Sequence, residues 1–236
     1  LRDTRALLSH LDEVIDSASG RVDQVRGTVR LACFVTLAPF VLPRLLSELG
    51  TRYPDLEVDV IETSADAIPA VLRSGTAELA LTYDLGLAAG VEVEQLGVAA
   101  PYVALPADHR LATRKTLRLT ELADEPMVLL DLPGSREYFE AMLAKAGVTP
   151  RIRYRSASYE AVRGLVARGH GFSILNQVPA HRGTYDGGAV STVAIRDDLP
   201  GLPIVLARLQ SVRVTARARA VAAAARTVFA DGLHEA

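Results

Sequence analysis

The stretch that decides the fold runs from Gly27 to Leu46 and reads GTVRLACFVTLAPFVLPRLL. Its first part, Thr28 to Val35, alternates and then turns wholly apolar, as a buried strand does. From Leu37 to Tyr53 the period changes. Phe40, Val41, Leu45, Leu46 and Leu49 fall on one side of a helix, and Tyr53-Pro54 ends it because a residue before proline avoids helical backbone. Leu56 to Ile61 alternates as a second strand, Ala65 to Ser74 reads as a short helix closed by Gly75, and Leu79 to Tyr83 is a third apolar strand. Strand, helix, strand, helix, strand in that order predicts parallel pairing and an α/β fold, since parallel neighbours need a crossover.

Working outward, Val91 to Leu96 and Pro101 to Leu105 are further strands, followed by a polar loop from Pro106 to Thr116 and a helical turn at Leu119 to Ala123. A second α/β unit follows. It comprises strand Met127 to Leu130, helix Ser135 to Ala146 ending at Gly147, strand Ile152 to Arg155, helix Tyr159 to Arg168 and strand Gly171 to Leu175. Ile204 to Leu209 gives a late strand and Thr215 to Phe229 an alanine-rich helix. In the other direction, residues 1–26 read as a polar helix with a narrow seam of Leu7, Leu11, Val14, Ala18, Val22 and Val25. Such a seam suits pairing with another helix; the plainer alternative is a helix lying on its own chain, and Gly20 weakens the middle.

At 236 residues, 49% of them hydrophobic, the chain can bury a sizeable core. Apolar runs such as Val98 to Leu105 fall well short of the ~20 residues a membrane span needs. No charged-then-apolar leader opens the sequence, and Cys33 is the single cysteine, which excludes an internal disulfide and fits a reducing compartment. A cytoplasmic location is therefore expected. The net charge of −2 gives phosphate binding no source. Arg151, Arg153 and Arg155, and likewise Arg213, Arg217, Arg219 and Arg226, read as solvated faces.

The whole run of segments resembles the effector-binding domain of LysR-type transcription regulators. GTVRLACFVTLAPFVLPRLL is similar to the opening of that domain after its linker helix. RYPDLEVDVIET matches its second strand, and AVLRSGTAELALTYD its helix, turn and third strand. Farther on, ALPADHRLA resembles the start of a second lobe, and SYEAVRGLVARGHGFSILN the helix, glycine turn and strand closing that lobe's site.

The resemblance implies two Rossmann-like lobes joined by crossover strands (type 2 periplasmic-binding-protein-like), preceded by an N-terminal linker helix. Residues 1–26 would be the linker and dimerisation helix, 27–101 plus 202–236 lobe I, and 102–201 lobe II. It also implies a small-molecule effector in the cleft between lobes and a homodimer or homotetramer. Promoter DNA would be reached only through an N-terminal winged helix-turn-helix belonging to a longer protein. A free-standing solute-binding protein of the same two-lobed fold is the alternative.

Ligands of open α/β sheets bind at the carboxyl ends of strands, beside helix N-termini. Thr36 sits where the first strand hands over to its helix, followed by Leu37, so its hydroxyl either caps that helix or, as the resemblance implies, contacts effector. Thr63 and Ser64 follow the second strand and precede Asp66, with the same double reading. Tyr83 is either a core aromatic or presents its phenol to a ligand. In DLPGSREYF, Ser135 is a plausible N-cap after the Pro133-Gly134 turn, and Arg136 is either a solvated first-turn residue or a carboxylate clamp. Ser156 and Ser158 flank the next helix, and Asn176 ends the strand GFSIL, again as turn or ligand contact. Together these suggest a small polar or anionic metabolite.

Enzymatic readings find little. The five histidines, at 10, 109, 170, 181 and 234, have no metal-ligand spacing, and GxSxG, GxxxxGK[ST] and Gly-rich dinucleotide motifs are absent. Cys33 lies inside an apolar strand, where a buried inert thiol is the natural reading. No catalytic residue, cofactor or metal is expected.

Overall fold

The computed structural model describes residues 25–230, so nearly all of the seam assigned to residues 1–26 lies outside the described residues. The chain folds as two units. One is built from residues up to Gly97 together with Pro203 onward, and the other is Val98–Leu202.

The first unit carries β1 (Gly27–Phe34), α1 (Ala38–Arg52), β2 (Leu56–Thr63), α2 (Ile68–Arg73) and β3 (Leu79–Tyr83). Strand β1 pairs in parallel with both β2 and β3, with Phe34 opposite Thr63 and Cys33 opposite Leu81. β4 (Val91–Ala99) and β11 (Leu202–Leu209) complete a sheet of order β2-β1-β3-β11-β4, β11 lying antiparallel to β3. The small side chains Ala32, Ala80 and Ala207 make room for Ile68 and Leu72 of α2 on one face. The terminal helix α5 (Ala216–Ala230) packs on α1 and on β1. Burial of Val41, Leu45 and Leu49 follows from their helical spacing, which turns one side of α1 inward. The second unit begins near the end of β4 and finishes at the start of β11.

In that unit β5 (Tyr102–Pro106), β6 (Thr116–Leu117), β9 (Ser173–Leu175) and β10 (Val190–Ile195) form a sheet of order β6-β10-β5-β9. β7 (Pro126–Leu130) and β8 (Arg151–Ser156) pair in parallel beside it. Helices α3 (Ser135–Lys145) and α4 (Tyr159–Ala167) complete the unit, with one 3-10 turn at Leu119–Leu122. A parallel bridge from Met127 to Phe172 ties β7 to the start of β9. Gly171 makes that approach possible. Its φ is +141°, and a Cβ there would stand 2.1 Å from the carbonyl oxygen of Pro126.

Most predicted elements stand within a few residues of their expected bounds. Two strands went unforeseen: β6, at the end of what reads as a polar loop, and β10, which pairs antiparallel with β5 along its length. Arg217 departs from the expected solvated face of its helix. It is buried at 7% exposure, with its Nε unpartnered, and lies against the backbone of Gly27.

Candidate functional site

Parallel strands present their carboxyl ends at one edge. In the first unit the ends of β1, β2 and β3 bring Thr36, Leu37, Thr63, Ser64 and Tyr83 to the same edge of the sheet. Thr36 is buried, at 6% exposure. The capping role is ruled out for it: Leu37 occupies the N-cap of α1, and no side chain caps that end. Leu37 itself is fully buried, its amide donating to the Phe34 carbonyl at 2.9 Å.

Thr63 closes β2, its carbonyl accepting the Val35 amide at 3.1 Å. Ser64 is not the cap of α2 either, since Ala67 holds that position; its hydroxyl donates to Asp66 at 2.5 Å. Tyr83 is a buried aromatic, its ring edge-on to Phe34 with centroids 5.5 Å apart. Packing of this kind fixes the ring.

In the second unit β7, β8 and β9 run the same way, and Tyr102, the first residue of β5, pairs with Leu175 at the end of β9. The carboxyl edge therefore gathers Asp131, Ser135, Arg136, Ser156, Ser158, Asn176 and Gln177, with Tyr102 beside them. Gly134, at φ +81°, is the N-cap of α3, so Ser135 becomes its first helical residue rather than the cap. Ser135 is 5% exposed. Ser158 does cap α4, its Oγ accepting the Ala161 amide at 3.3 Å, while Ser156 Oγ accepts the Ser158 amide at 3.2 Å.

Charge at this edge is internally balanced. Arg136 donates to Asp131 at 3.1 Å and to Glu137 at 2.8 Å, and Arg155 donates to the other oxygen of Asp131 at 3.3 Å. The Glu137 carboxyl is held below its ordinary range, first by its own backbone amide and next by Arg136. The guanidinium foreseen as a carboxylate clamp thus already has two carboxylates.

Three residues that no local pattern singled out complete the edge. Tyr102 and Tyr159 both donate their hydroxyls to the backbone carbonyl of Gln177, the former at 3.0 Å, and their oxygens lie 3.0 Å apart. Burial pushes the Tyr102 phenol up to about 12, against smaller opposing effects of Tyr159 and Arg163. Both side-chain amides that follow β9 keep a buried oxygen without a partner: Asn176 Oδ1 and Gln177 Oε1. The aromatic character of positions 102 and 159 was the available signal, but the shared carbonyl joins residues 75 and 18 positions apart.

A family model described as LysR substrate binding domain matches residues 23–230. The probable hydrogen peroxide-inducible genes activator of Mycobacterium avium is 31% identical over 179 residues, covering 75% of this chain and 58% of that protein. The HTH-type transcriptional regulator CysL of Bacillus subtilis is 29% identical over 160 residues, 65% of this chain and 52% of that protein. The chain thus spans little more than half the length of these curated relatives. Among solved structures, HinK, a LysR family transcriptional regulator from Pseudomonas aeruginosa, aligns over 97% of this chain and 79% of its own. Its TM-score is 0.85 and its identity 32%. The C-terminal domain of a probable LysR family transcriptional regulator from Rhodococcus sp. RHA1 gives a TM-score of 0.80 at 34% identity, over 84% of this chain and 97% of that one. With a family model spanning the described residues almost end to end, the chain belongs to the LysR substrate-binding-domain family.

Proposed function

We propose that this chain is the effector-sensing part of a LysR-type transcription regulator, that it takes a small polar or anionic metabolite at the carboxyl edges of its strands, and that it does so without catalysis. The observation that carries the reading is the placement of Thr36 and Ser135, hydroxyl-bearing residues 6% and 5% exposed, each at a strand-to-helix handover of its own unit. Ligands of open α/β sheets bind at the carboxyl ends of strands, where such hydroxyls offer hydrogen bonds. Relatives named as regulators rather than enzymes support the non-catalytic part.

Promoter DNA is contacted, on this reading, through a helix-turn-helix region of a longer protein, and the regulator assembles as a homodimer or homotetramer. No described helix is long and apolar enough to cross a membrane.

One relative is named for peroxide-inducible genes. That signal does not transfer readily to this chain. Its only cysteine, Cys33, is fully buried, and burial, with the charge of Glu62, pushes the thiol up to about 12. Peroxide attacks thiolate, and little thiolate exists here. A thermal-shift screen of small metabolites tests the proposal, since a ligand of the folded state alone raises the melting temperature. A compound that does so, and whose effect falls in Thr36→Val, supports it; shifts indifferent to substitutions at both edges contradict it.

A further inference from the structure

The run Ser173–Gln177 concentrates unpartnered buried polar atoms: Ser173 Oγ, Asn176 Oδ1 and Gln177 Oε1 all lack a hydrogen bond. Gln177 is only 2% exposed and Ser173 is fully buried, so solvent does not supply the partner freely. Two of these atoms are amide oxygens, which accept, and each belongs to an amide whose NH2 group donates. Two phenols stand beside them: Tyr102 and Tyr159 are within hydrogen-bond distance of the Gln177 carbonyl and of each other. Ser135, 5% exposed, adds a hydroxyl, a group that can donate or accept.

Against this stands the charge balance. The two arginines of the edge, Arg136 and Arg155, converge on Asp131, and Arg136 also holds Glu137. A carboxylate ligand arriving here would have to displace one of those carboxylates or go without a cation. An ammonium would find Asp131 already shared between two guanidiniums.

Resting on the effector reading above, we propose that the ligand of this site is a neutral polyhydroxylated small molecule, whose hydroxyls pair with the side-chain amides at the end of β9 and with Ser135. Hydroxyls suit such a mixed set because each donates once and accepts twice. Of the polar and anionic classes open to the site, the balance of charge and of donors favours the uncharged one.

The test is a melting-temperature titration of the whole chain against two panels at millimolar concentration. One holds the neutral polyols myo-inositol, sorbitol and D-glucose, and the other the carboxylates acetate, succinate and benzoate. The proposal expects a rise of several degrees with at least one polyol and none with the carboxylates. It also expects at least a tenfold higher half-effect concentration in Gln177→Met, which keeps the volume and removes the acceptor. Asn176→Leu provides a second variant should Gln177→Met melt too low to read. A rise with carboxylates alone, no rise with any polyol, or a polyol effect unchanged in both variants overturns the proposal. Thr36→Val and Ser135→Ala separate the two readings. If they abolish a carboxylate effect, the site stands and the ligand class falls. If they leave a Gln177-dependent polyol effect intact, the class stands and the wider site falls.

Discussion

Arg163 and Glu160 meet at 2.6 Å on α4, and both hold the same loop. Arg163 Nη2 donates to the carbonyls of His181, Arg182 and Gly183, and the second oxygen of Glu160 accepts the Tyr185 amide at 2.7 Å. The loop they grip begins just after Gln177, the residue whose carbonyl both tyrosines share. One helix thereby holds this stretch at three points: Gln177 through Tyr159, Tyr185 through Glu160, and His181 to Gly183 through Arg163.

The guanidinium is 7% exposed. Arg163→Met therefore leaves Glu160 and three carbonyls without their donor. The expected loss is about 3 kcal/mol in urea unfolding, the range for removing one partner of a buried pair. Amide exchange at Tyr185 should accelerate before the rest of the unit opens. A loss below about 1 kcal/mol with unchanged exchange would show that the loop holds itself.

Gly171→Ala is expected to be more damaging than its single methyl suggests. The added carbon would stand 2.1 Å from the Pro126 oxygen, on backbone at φ +141°. Either β9 moves off β7 or the backbone rotates, breaking the bond from Phe172 N–H to the Pro126 carbonyl. Destabilisation of about 3 kcal/mol, at the upper end of overpacking costs, is the expected outcome by thermal or urea unfolding.

Cys33 supplies a pH prediction. Its thiol ionises near the ordinary 9.0 in the unfolded chain and at about 12 in the folded one. The folded state thus keeps the proton that the unfolded state loses. This contribution to stability is complete below pH 9 and declines from pH 9 to 12, by about 1 kcal/mol per pH unit. Tyr102 and Tyr138, each also pushed up to about 12 by burial, join only above pH 10. Between pH 9 and 10 the melting temperature of Cys33→Ala should therefore fall less steeply than that of the parent. Native protein at pH 7 should react with a thiol reagent only upon unfolding; rapid labelling would contradict the burial argument.

The first three strands and their helices were legible because period 2 and period 3.6 alternate cleanly from Thr28 to Tyr83. β10 carries a local signal as well. VSTVAI is short, rich in β-branched residues and bounded by Gly188 and Asp197, a recognisable strand signal. The placement of Thr36, Ser135 and Asn176 at strand ends followed from the order of elements. Their hydrogen bonding did not. Ser135 reads as an N-cap until Gly134 is seen to take that position, and Arg136 reads as free until Asp131 and Glu137 are seen beside it. The Gln177 carbonyl was beyond reach, because a backbone atom leaves no trace in side-chain pattern. Arg163 and Arg217 look like solvated helix charges for a similar reason: burial by a distant loop or strand is not written in the helix's own period.

Association is predicted from the narrow seam between Leu7 and Val25. Light scattering at micromolar concentration should give at least a dimer for the chain bearing that segment, and a monomer would contradict the pairing. With a net charge of −2, the same sample should show no promoter-selective DNA binding at physiological salt. Submicromolar selective binding would overturn that expectation.

Effector recognition at the strand ends is tested most directly by calorimetric titration of Thr36→Val and Ser135→Ala with the compound that most raises the parent's melting temperature. Each variant preserves much of the side chain's shape and removes one hydroxyl. Losing a hydrogen bond to ligand in a partly dry site should cost about 1–3 kcal/mol, a dissociation constant roughly ten- to a hundredfold weaker. Weakening of the same ligand by both substitutions, with little change in folding, is the predicted result. Affinity equal to the parent's in both variants would contradict the account and place recognition elsewhere.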